Sequence, residues 1–262
     1  MLEIQDLTIA FRRYQGLFGR QDAPCVTGVS IDVQPGELLA VVGASGAGKS
    51  LLAHAVLGIL PGNAVIDGDI AFEGELLTPA RQERLRGRAI ALVPQSTAYL
   101  DPLVRSDRQV AWAARRAGAD ARVAATALAR YGLGGTSAAV YPHALSGGMA
   151  RRVLLAISTV ADARLIIADE PTTGLDAAHR ETVLRHLRTL ADDGKAVIVI
   201  THDLSAVLPY ADRVSIMRGG RTVETIAAGA FCREGLDELA PYSRDLWRAL
   251  PRNGFSCELG AA

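Results

Sequence analysis

The sequence has few cysteines, few aromatic residues and no long apolar run, and these shortages exclude several classes of protein. Its cysteines, Cys25, Cys232 and Cys257, lie far apart and form no CxxC pair. We therefore expect reduced thiols rather than a disulfide framework or a zinc site. The most apolar stretch, residues 153–168, is interrupted by two charged residues and is too short to cross a bilayer. A protein that is soluble by itself is predicted, and it would need a partner to work at a membrane.

An excess of charge of one sign is also missing. Lysine and arginine total 28, as do aspartate and glutamate, so the formal net charge is zero. This balance gives no long-range attraction to nucleic acid or to an anionic membrane, and no nucleic-acid partner is predicted. The opening residues, MLEIQDLTIAF, contain no basic segment followed by an apolar one, so we expect no signal peptide there.

Short apolar runs alternate with helical patterns along most of the chain. Runs rich in Val, Ile, Leu and Ala, without polar alternation, occupy residues 37–43, 89–95, 164–170 and 196–202. Such runs are typical of parallel strands that are covered on both faces. The sequence therefore predicts an α/β fold with a mostly parallel sheet.

Residues 96–160 interrupt this alternation. They are rich in Ala and Arg, and Val123, Ala127 and Tyr131 are spaced to share one face of a helix. We predict that this interval forms a helical insertion in the α/β core.

The segment GASGAGKS matches the pattern G-x-x-x-x-G-K-[ST], and it lies between an apolar strand and a helical pattern, as this motif requires. Its glycines allow the backbone to wrap a phosphate, and N–H groups at the start of a helix attract anions. Lys49 would supply charge at the β- and γ-phosphates, and the Ser50 hydroxyl would ligate Mg²⁺. The predicted nucleotide-binding residues are Gly43, Ala44, Ser45, Gly46, Ala47, Gly48, Lys49, Ser50 and Leu51.

Polar residues close three of the predicted strands. Asp169 and Glu170 end RLIIADE, His202 ends AVIVITH, and Gln95 ends AIALVPQ. The carboxyl ends of parallel strands meet at one edge of a sheet, where α/β proteins bind ligands. We predict that Asp169 binds Mg²⁺, that Glu170 activates an attacking water, and that His202 contacts the γ-phosphate. Gln95 would meet Mg²⁺ or the same water; a turn-capping acid at Asp169 and a structural role for His202 are the alternatives.

A second glycine loop occurs in ALSGGMARRV, where Ser146, Gly147 and Gly148 precede a helical pattern. A hydroxyl, open N–H groups and the positive end of a helix dipole can bind a phosphate. The alternative is an N-cap serine followed by flexible glycines. Because one phosphate loop is enough for one nucleotide, a phosphate bound here would be the γ-phosphate held by a second subunit, so that two chains would share two sites.

The motifs Lys49, Gln95, LSGGM, LIIADEP, GLD and THD, in this order, resemble those of the ATP-binding subunits of ABC transporters over nearly the whole chain. The resemblance implies ATP hydrolysis with Mg²⁺, a signature loop LSGGM that completes the partner's ATP site, and Asp176 in the D-loop at the dimer seam. Phe11 matches the aromatic residue that stacks on adenine. Tyr14 is the alternative for that role, and a core position for Phe11 stays open.

The same resemblance implies a P-loop NTPase fold in three parts. Residues 1–95 and 161–230 would form the ATP-binding core, a RecA-like part with a mostly parallel sheet and an N-terminal antiparallel β part. Residues 96–160 would form the helical ABC insertion subdomain, and residues 231–262 a C-terminal tail. An amphipathic segment around Trp247 in that tail could pack on its own core or on a partner.

Within the family, YPHALSGGM, IIADEPTTGLD and PYSRDLWRALP resemble the oligopeptide, dipeptide and nickel importers, and SLLAHAVLGILP is most similar to the nickel-type ATPases. Two positions depart from that group: residues 150–152 read ARR where Arg-Gln-Arg is usual, and Gly174 replaces the usual Ala. Because neither change touches a phosphate-binding position, ATPase function is still expected. Cys232 and Cys257 are too few and too distant for the iron–sulfur centre of some relatives.

The implied function is to power, by hydrolysing ATP to ADP and phosphate, a multi-subunit importer of small peptides or nickel complexes. The implied partners are a second ATP-binding subunit, either a different homologous chain or an identical one, two separate membrane permease subunits, and, indirectly, an extracytoplasmic substrate-binding protein. The chain would then work peripherally at the cytoplasmic face of the inner membrane. The alternatives are the ATPase of an ABC exporter and a soluble ABC ATPase of repair or translation.

Overall fold

Two β-sheets and a set of helices make up the computed structural model, which describes residues 1–15, 19–135, 139–232 and 235–250. The end of the predicted tail, including Cys257, lies outside the described residues. Across the described ranges, the helices all fall short of the length and apolarity needed to cross a bilayer.

In chain order the strands and α-helices are β1 (Leu2–Gln15), β2 (Gly19–Val33), β3 (Leu38–Gly43), α1 (Lys49–Leu57), β4 (Ala64–Phe72), β5 (Glu75–Leu76), α2 (Pro79–Leu85), β6 (Ile90–Val93), α3 (Ser106–Arg116), α4 (Val123–Arg130), α5 (Gly147–Thr159), β7 (Leu165–Asp169), α6 (Ala177–Asp192), β8 (Ala196–Thr201), α7 (Leu204–Val207), β9 (Arg213–Arg218), β10 (Arg221–Ala227) and α8 (Pro241–Arg248).

The larger sheet confirms the predicted, mostly parallel core. Its six strands follow the order β10-β9-β3-β8-β7-β6. Strands β6, β7, β8, β3 and β9 are parallel, and only β10 at one edge is antiparallel to its neighbour. Strand β3 lies between β8 and β9, so the segment that follows β3 leaves the middle of the sheet.

Both faces of this sheet are covered, which explains why its strands lack polar alternation. In β3, Leu38, Ala40 and Val42 join the apolar cluster that contains residues of α5 and α6. Leu39 and Val41 point the other way, into a cluster with α1 and the second sheet. Burying a large aliphatic side chain contributes about 1.5–3 kcal/mol, so successive residues of one strand stabilise two separate layers.

The second sheet is the expected N-terminal antiparallel part, with strand order β2-β1-β4-β5. One face of it packs on α1 through buried residues such as Leu7, Ile9 and Val26. Strand β2 also contacts the β9–β10 turn, where the Thr27 N–H donates to the Gly220 carbonyl at 2.8 Å. This contact brings β2 beside the carboxyl edge of the larger sheet.

Helices α3, α4 and α5 pack on one another within the predicted insertion. Tyr131, just beyond α4, is buried, and its hydroxyl lies 3.0 Å from Thr159 Oγ1. The predicted face of this helix is partly wrong, because Val123 is exposed while Ala124 and Ala127 are buried. The helix begins at Val123, and its first residue faces solvent. The predicted boundaries of the insertion and of the core stay a prediction.

The described part of the tail packs on the chain's own core. Trp247 of α8 is buried in the same apolar cluster as Phe231 and Leu239, and its Nε1 donates to the Phe231 carbonyl at 3.0 Å. The Arg218 guanidinium lies 4.6 Å from the centroid of the Tyr242 ring, within the range of a cation–π contact. Of the two alternatives for the amphipathic segment, packing on its own core is the one observed.

Two adjacent glycines in the β9–β10 turn provide a test of how closely that turn packs on β2. Both have positive φ, +55° at Gly219 and +77° at Gly220, so an alanine would strain the backbone at either position. A Cβ on Gly220 would lie 2.4 Å from the Cys25 carbonyl oxygen, whereas a Cβ on Gly219 would meet nothing within 4 Å in the described structure.

We expect Gly220→Ala to lower the free energy of unfolding by about 1–3 kcal/mol more than Gly219→Ala, because only the former also overpacks the turn. Urea denaturation of the two variants measures this difference. Equal losses in both variants would contradict close packing of the turn on β2.

Candidate functional site

The P-loop, the segment GASGAGKS at residues 43–50, joins the central strand β3 to α1. Gly48 is the N-cap of α1 and offers no side-chain cap, which suits a helix start that receives an anion. A groove of about 430 Å³ lies over the loop and is lined by residues 46–51, by Pro24 and Cys25 of β2 and by the Gly219–Gly220 turn. The predicted phosphate loop therefore borders an open groove at the carboxyl edge of the sheet.

Lys49 is folded back under this loop. The residue is only 7% exposed, and Nζ donates to the carbonyl oxygens of Gly43 at 2.7 Å and Ala44 at 3.0 Å. Burial lowers the pKa of Lys49, while the nearby charges of Glu170 and Asp169 act to raise it. The ammonium group has three donors, and these two bonds hold it at the base of the P-loop.

Asp169 ends β7 next to the start of α1 and is 3% exposed. Burial raises the pKa of its carboxyl group, and a hydrogen bond from the Ser50 side chain acts in the opposite direction. Its Oδ1 is buried without a hydrogen-bond partner among the described residues. Such an oxygen is costly in free energy, and a cation that prefers oxygen ligands would satisfy it. Ser50 and Asp169 therefore fit a hard divalent cation such as Mg²⁺.

Glu170 follows with φ +50°, a left-handed conformation that is uncommon outside glycine. Its N–H donates to the Ile200 carbonyl at 2.8 Å, and Oε2 accepts from the Thr173 hydroxyl at 3.1 Å. Oε1 lies 2.8 Å from Nδ1 of His202, which follows β8 and is 59% exposed on its side chain. The ends of β7 and β8 are thus joined through the Glu170 carboxylate.

Gln95 follows β6, on the far side of β7, and is exposed. Its carbonyl oxygen accepts a hydrogen bond from Arg151 Nη2 at 2.6 Å, and Nη1 of the same arginine donates to the Glu170 carbonyl at 2.8 Å. No motif indicated Arg151. The one signal in the sequence is the departure from Arg-Gln-Arg at residues 150–152.

The second glycine loop starts α5. Ser146 is its N-cap, and Oγ accepts from the Met149 N–H at 3.3 Å, as the N-cap alternative predicts. Gly147 and Gly148 form the first turn of the helix. These three residues are not among those that line the groove over the P-loop in the described part of the chain. Within the described part of one chain, the two loops therefore do not line the same groove.

Asp176, predicted for the D-loop, is the N-cap of α6. Its Oδ1 accepts from the His179 N–H at 2.9 Å, and Oδ2 lies 2.7 Å from His179 Nδ1. These hydrogen bonds lower the pKa of the exposed Asp176 carboxyl group. The structure fixes its orientation but gives it no contact with the P-loop groove in the described residues.

Phe11 lies on β1, opposite Ala23 of β2 and Ala64 of β4, and is half-buried against the apolar cluster between the sheets. Pro24 and Cys25, rather than Phe11, line the groove over the P-loop among the described residues. The Tyr14 side chain lies outside the described residues. An adenine contact by Phe11 stays a prediction, and its packing favours the alternative core position.

The sequence matches a protein family. Residues 26–173 fit the family model described as ABC transporter. The oligopeptide transport ATP-binding protein OppD of Mycobacterium tuberculosis is 37% identical over 96% of this chain and 42% of its own length. OppD of Bacillus subtilis is 32% identical over 96% of this chain and 72% of its own. The dipeptide transport ATP-binding protein DppD of Lactococcus lactis is 34% identical over 86% of this chain and 67% of its own.

The chain thus spans less than half the length of the mycobacterial relative. Solved structures share its fold at low identity. A dimeric ATP-binding cassette in a post-hydrolysis state, bound to ADP and Pi, gives a TM-score of 0.77 at 24% identity and covers 87% of this chain and 99% of its own. An ATP-binding subunit of an ABC transporter gives 0.75 at 23% identity, covering 94% and 98%. The family match and the identity to the Bacillus protein over most of both chains show that this chain belongs to the ABC transporter family, and its fold is that of the family's ATPases.

Proposed function

We propose that this chain binds and hydrolyses ATP as the nucleotide-binding subunit of an ABC importer. One observation carries the proposal: the P-loop, Asp169 and Glu170 meet at the carboxyl edge of one parallel sheet, beside an open groove. Each of these groups is buried or held by hydrogen bonds within the chain itself. Such preorganisation is what phosphoryl transfer requires, because its catalysis is mainly positioning and charge stabilisation.

Residues 43–51 would wrap the phosphates, and Lys49 would contact the β- and γ-phosphates from the base of the loop. Ser50 and Asp169 would hold Mg²⁺, with Gln95 as a further candidate; when bound, the ion neutralises charge on the phosphates. Oδ1 of Asp169, which has no partner in the described part of the chain, supports this assignment.

Glu170 is the proposed general base. Its carboxylate would take a proton from the water that attacks the γ-phosphate, and the products would be ADP and phosphate. His202 and Thr173 hold both carboxylate oxygens in place, and the exposed His202 ring would also contact the γ-phosphate. The Gln95 amide would orient the same water.

A second ATP-binding subunit would complete each site. The Ser146–Gly148 loop is not among the described residues that line this chain's own P-loop groove. We propose that it meets the γ-phosphate bound by a partner chain, with Asp176 at the seam. A solved relative of the same fold is described as dimeric and bound to ADP and Pi. Hydrolysis would then reopen the pair. The partner would be either an identical chain or a different homologue.

The membrane partner is proposed to dock between the core and the insertion. A groove of about 490 Å³ there is bordered by the exposed rings of Tyr99 and Trp112, and Leu103, 83% exposed, lies nearby in the chain. Exposed apolar residues beside a groove are typical of interaction sites. We propose that one of two permease subunits of the transporter binds there at the cytoplasmic face of the membrane, and that a substrate-binding protein delivers the cargo from outside.

The cargo proposed first is a small peptide, because the matched relatives are oligopeptide and dipeptide transport proteins. Nickel complexes stay a prediction from the likeness of SLLAHAVLGILP to nickel-type ATPases.

Glu170→Gln tests the catalytic assignment. We expect the variant to bind ATP with nearly unchanged affinity and to lose about 10²- to 10⁴-fold in kcat, because the amide cannot accept the proton of the attacking water. Glu181→Gln is the matched control, since Glu181 is an exposed glutamate on α6 that pairs with Arg185. An active Glu170→Gln enzyme would refute the role of Glu170 as general base.

Cys25 gives a direct probe of the nucleotide groove. In a variant with Cys232→Ser and Cys257→Ser, saturating ATP and Mg²⁺ should slow alkylation of Cys25 by N-ethylmaleimide, because Cys25 lines the groove. Lys49→Ala in the same background should remove the protection. An alkylation rate that is independent of ATP would show that nucleotide does not occupy this groove.

Uptake by cells tests cargo and direction. Cells with Lys49→Ala in place of the unmutated chain are offered a labelled dipeptide and labelled nickel side by side. We expect dipeptide uptake to fall to the background of a deletion strain. A fall in nickel uptake alone would instead assign nickel, and unchanged uptake of both, in a strain without other transporters for them, would contradict the importer.

A further inference from the structure

Arg151 is a buried arginine one turn after the Ser146–Gly148 loop, and it is 8% exposed. Burial lowers the pKa of its guanidinium, and the nearby carboxylates of Glu170 and Asp169 act to raise it. A buried cation is costly unless its donors are used. What the donors of Arg151 bind is therefore informative.

The guanidinium links two different strand ends. Nη1 donates to the Glu170 carbonyl at 2.8 Å, and Nη2 donates to the Gln95 carbonyl at 2.6 Å. A planar guanidinium presents its donors in a rigid fork, so it fixes the two carbonyls relative to each other. Glu170 also has the uncommon φ of +50°, a conformation that persists only where its surroundings hold it.

We infer that Arg151 is a positioning residue: it ties helix α5, which begins with the Ser146–Gly148 loop, to the backbone of Glu170 and Gln95. This inference deepens the proposed function and rests on it. Arg151 touches neither nucleotide nor water in this role. It holds the two residues that would contact the attacking water, and it makes their placement depend on the position of α5.

The next residue offers an internal comparison. Arg152 lies on the same helix, and its hydrogen bonds go to the carbonyls of Tyr131 at 3.0 Å and Gly148 at 3.4 Å. Both acceptors belong to the helical insertion. A variant of Arg152 thus loses an arginine of α5 while the bonds to Glu170 and Gln95 are kept.

The test compares Arg151→Met, Arg151→Lys and Arg152→Met, with kcat and KM for ATP and hydrogen–deuterium exchange measured on each. Arg151→Met should lower kcat on the order of 10- to 100-fold with little change in KM, as expected when reacting groups are misplaced but binding is kept. Exchange should quicken in peptides covering 93–97 and 166–173. Arg151→Lys should recover part of kcat, because it keeps the charge without the fork. Arg152→Met should leave exchange in those peptides unchanged and lower kcat less than Arg151→Met, because its own bonds go to Tyr131 and Gly148.

Equal losses of kcat in Arg151→Met and Arg152→Met, or a rise in KM at unchanged kcat, would overturn the inference. If Arg151→Met does not fold, Arg151→Lys decides: it should still lower kcat at constant KM, and kcat equal to that of the unmutated chain would overturn the inference. If the unmutated chain hydrolyses no ATP in the assembled transporter, where its partner subunit is present, the proposed function fails. Hydrogen–deuterium exchange then tests by itself whether Arg151 holds Glu170 and Gln95 in place. Unchanged exchange in the Arg151 variants would overturn the inference.

Discussion

Parallel alignment of the strands is the constraint on which the rest of this structure depends. Strands β3, β6, β7 and β8 all end at one edge of the sheet because they run in the same direction. The P-loop, Gln95, Asp169 and His202 follow these ends, so groups that are distant in sequence share one edge. Parallel strands also need crossovers, and the helices of those crossovers cover both faces. The apolar layers and the polar edge are therefore consequences of the same arrangement.

Buried side chains of opposite charge are concentrated at this edge of the sheet. Four charged residues there are buried: Lys49, Asp169, Glu170 and Arg151. The free-energy cost of burying any one of these charges would be prohibitive without the others. Most of their polar atoms are matched by carbonyls, hydroxyls or rings, while Oδ1 of Asp169 has no partner among the described residues. The edge is thus held by contacts within the chain, and Oδ1 of Asp169 is an oxygen that a ligand could bind. A ligand that bound there would stabilise the folded chain in proportion to its concentration and affinity.

Helix α5 contacts this edge of the sheet through hydrogen bonds from Arg151 to backbone carbonyl groups. Helix α5 carries the second glycine loop at its start and Arg151 one turn later, so one rigid element joins a surface loop to the ends of β6 and β7. Its apolar side packs into the same cluster as α6 and the sheet. A helix held at both places would transmit displacement of its start to the sheet edge, and this would couple the loop to the proposed catalytic residues.

The chemistry of residues close in the chain determined the core strands and the phosphate loop of this protein. Uniform apolar runs predicted covered parallel strands, and GASGAGKS predicted the loop after β3, since both signals depend on residues close in the chain. The partners of Arg151 could not be predicted in this way: Glu170 is 19 residues away and Gln95 is 56, and only packing of α5 on the sheet selects them.

Packing likewise exposed Val123, placed Trp247 on the chain's own core and put Cys25 rather than Phe11 in the groove. The sequence determined which groups reach the edge of the sheet; the tertiary structure decided which backbone atoms hold them there, because that depends on how helices and strands meet.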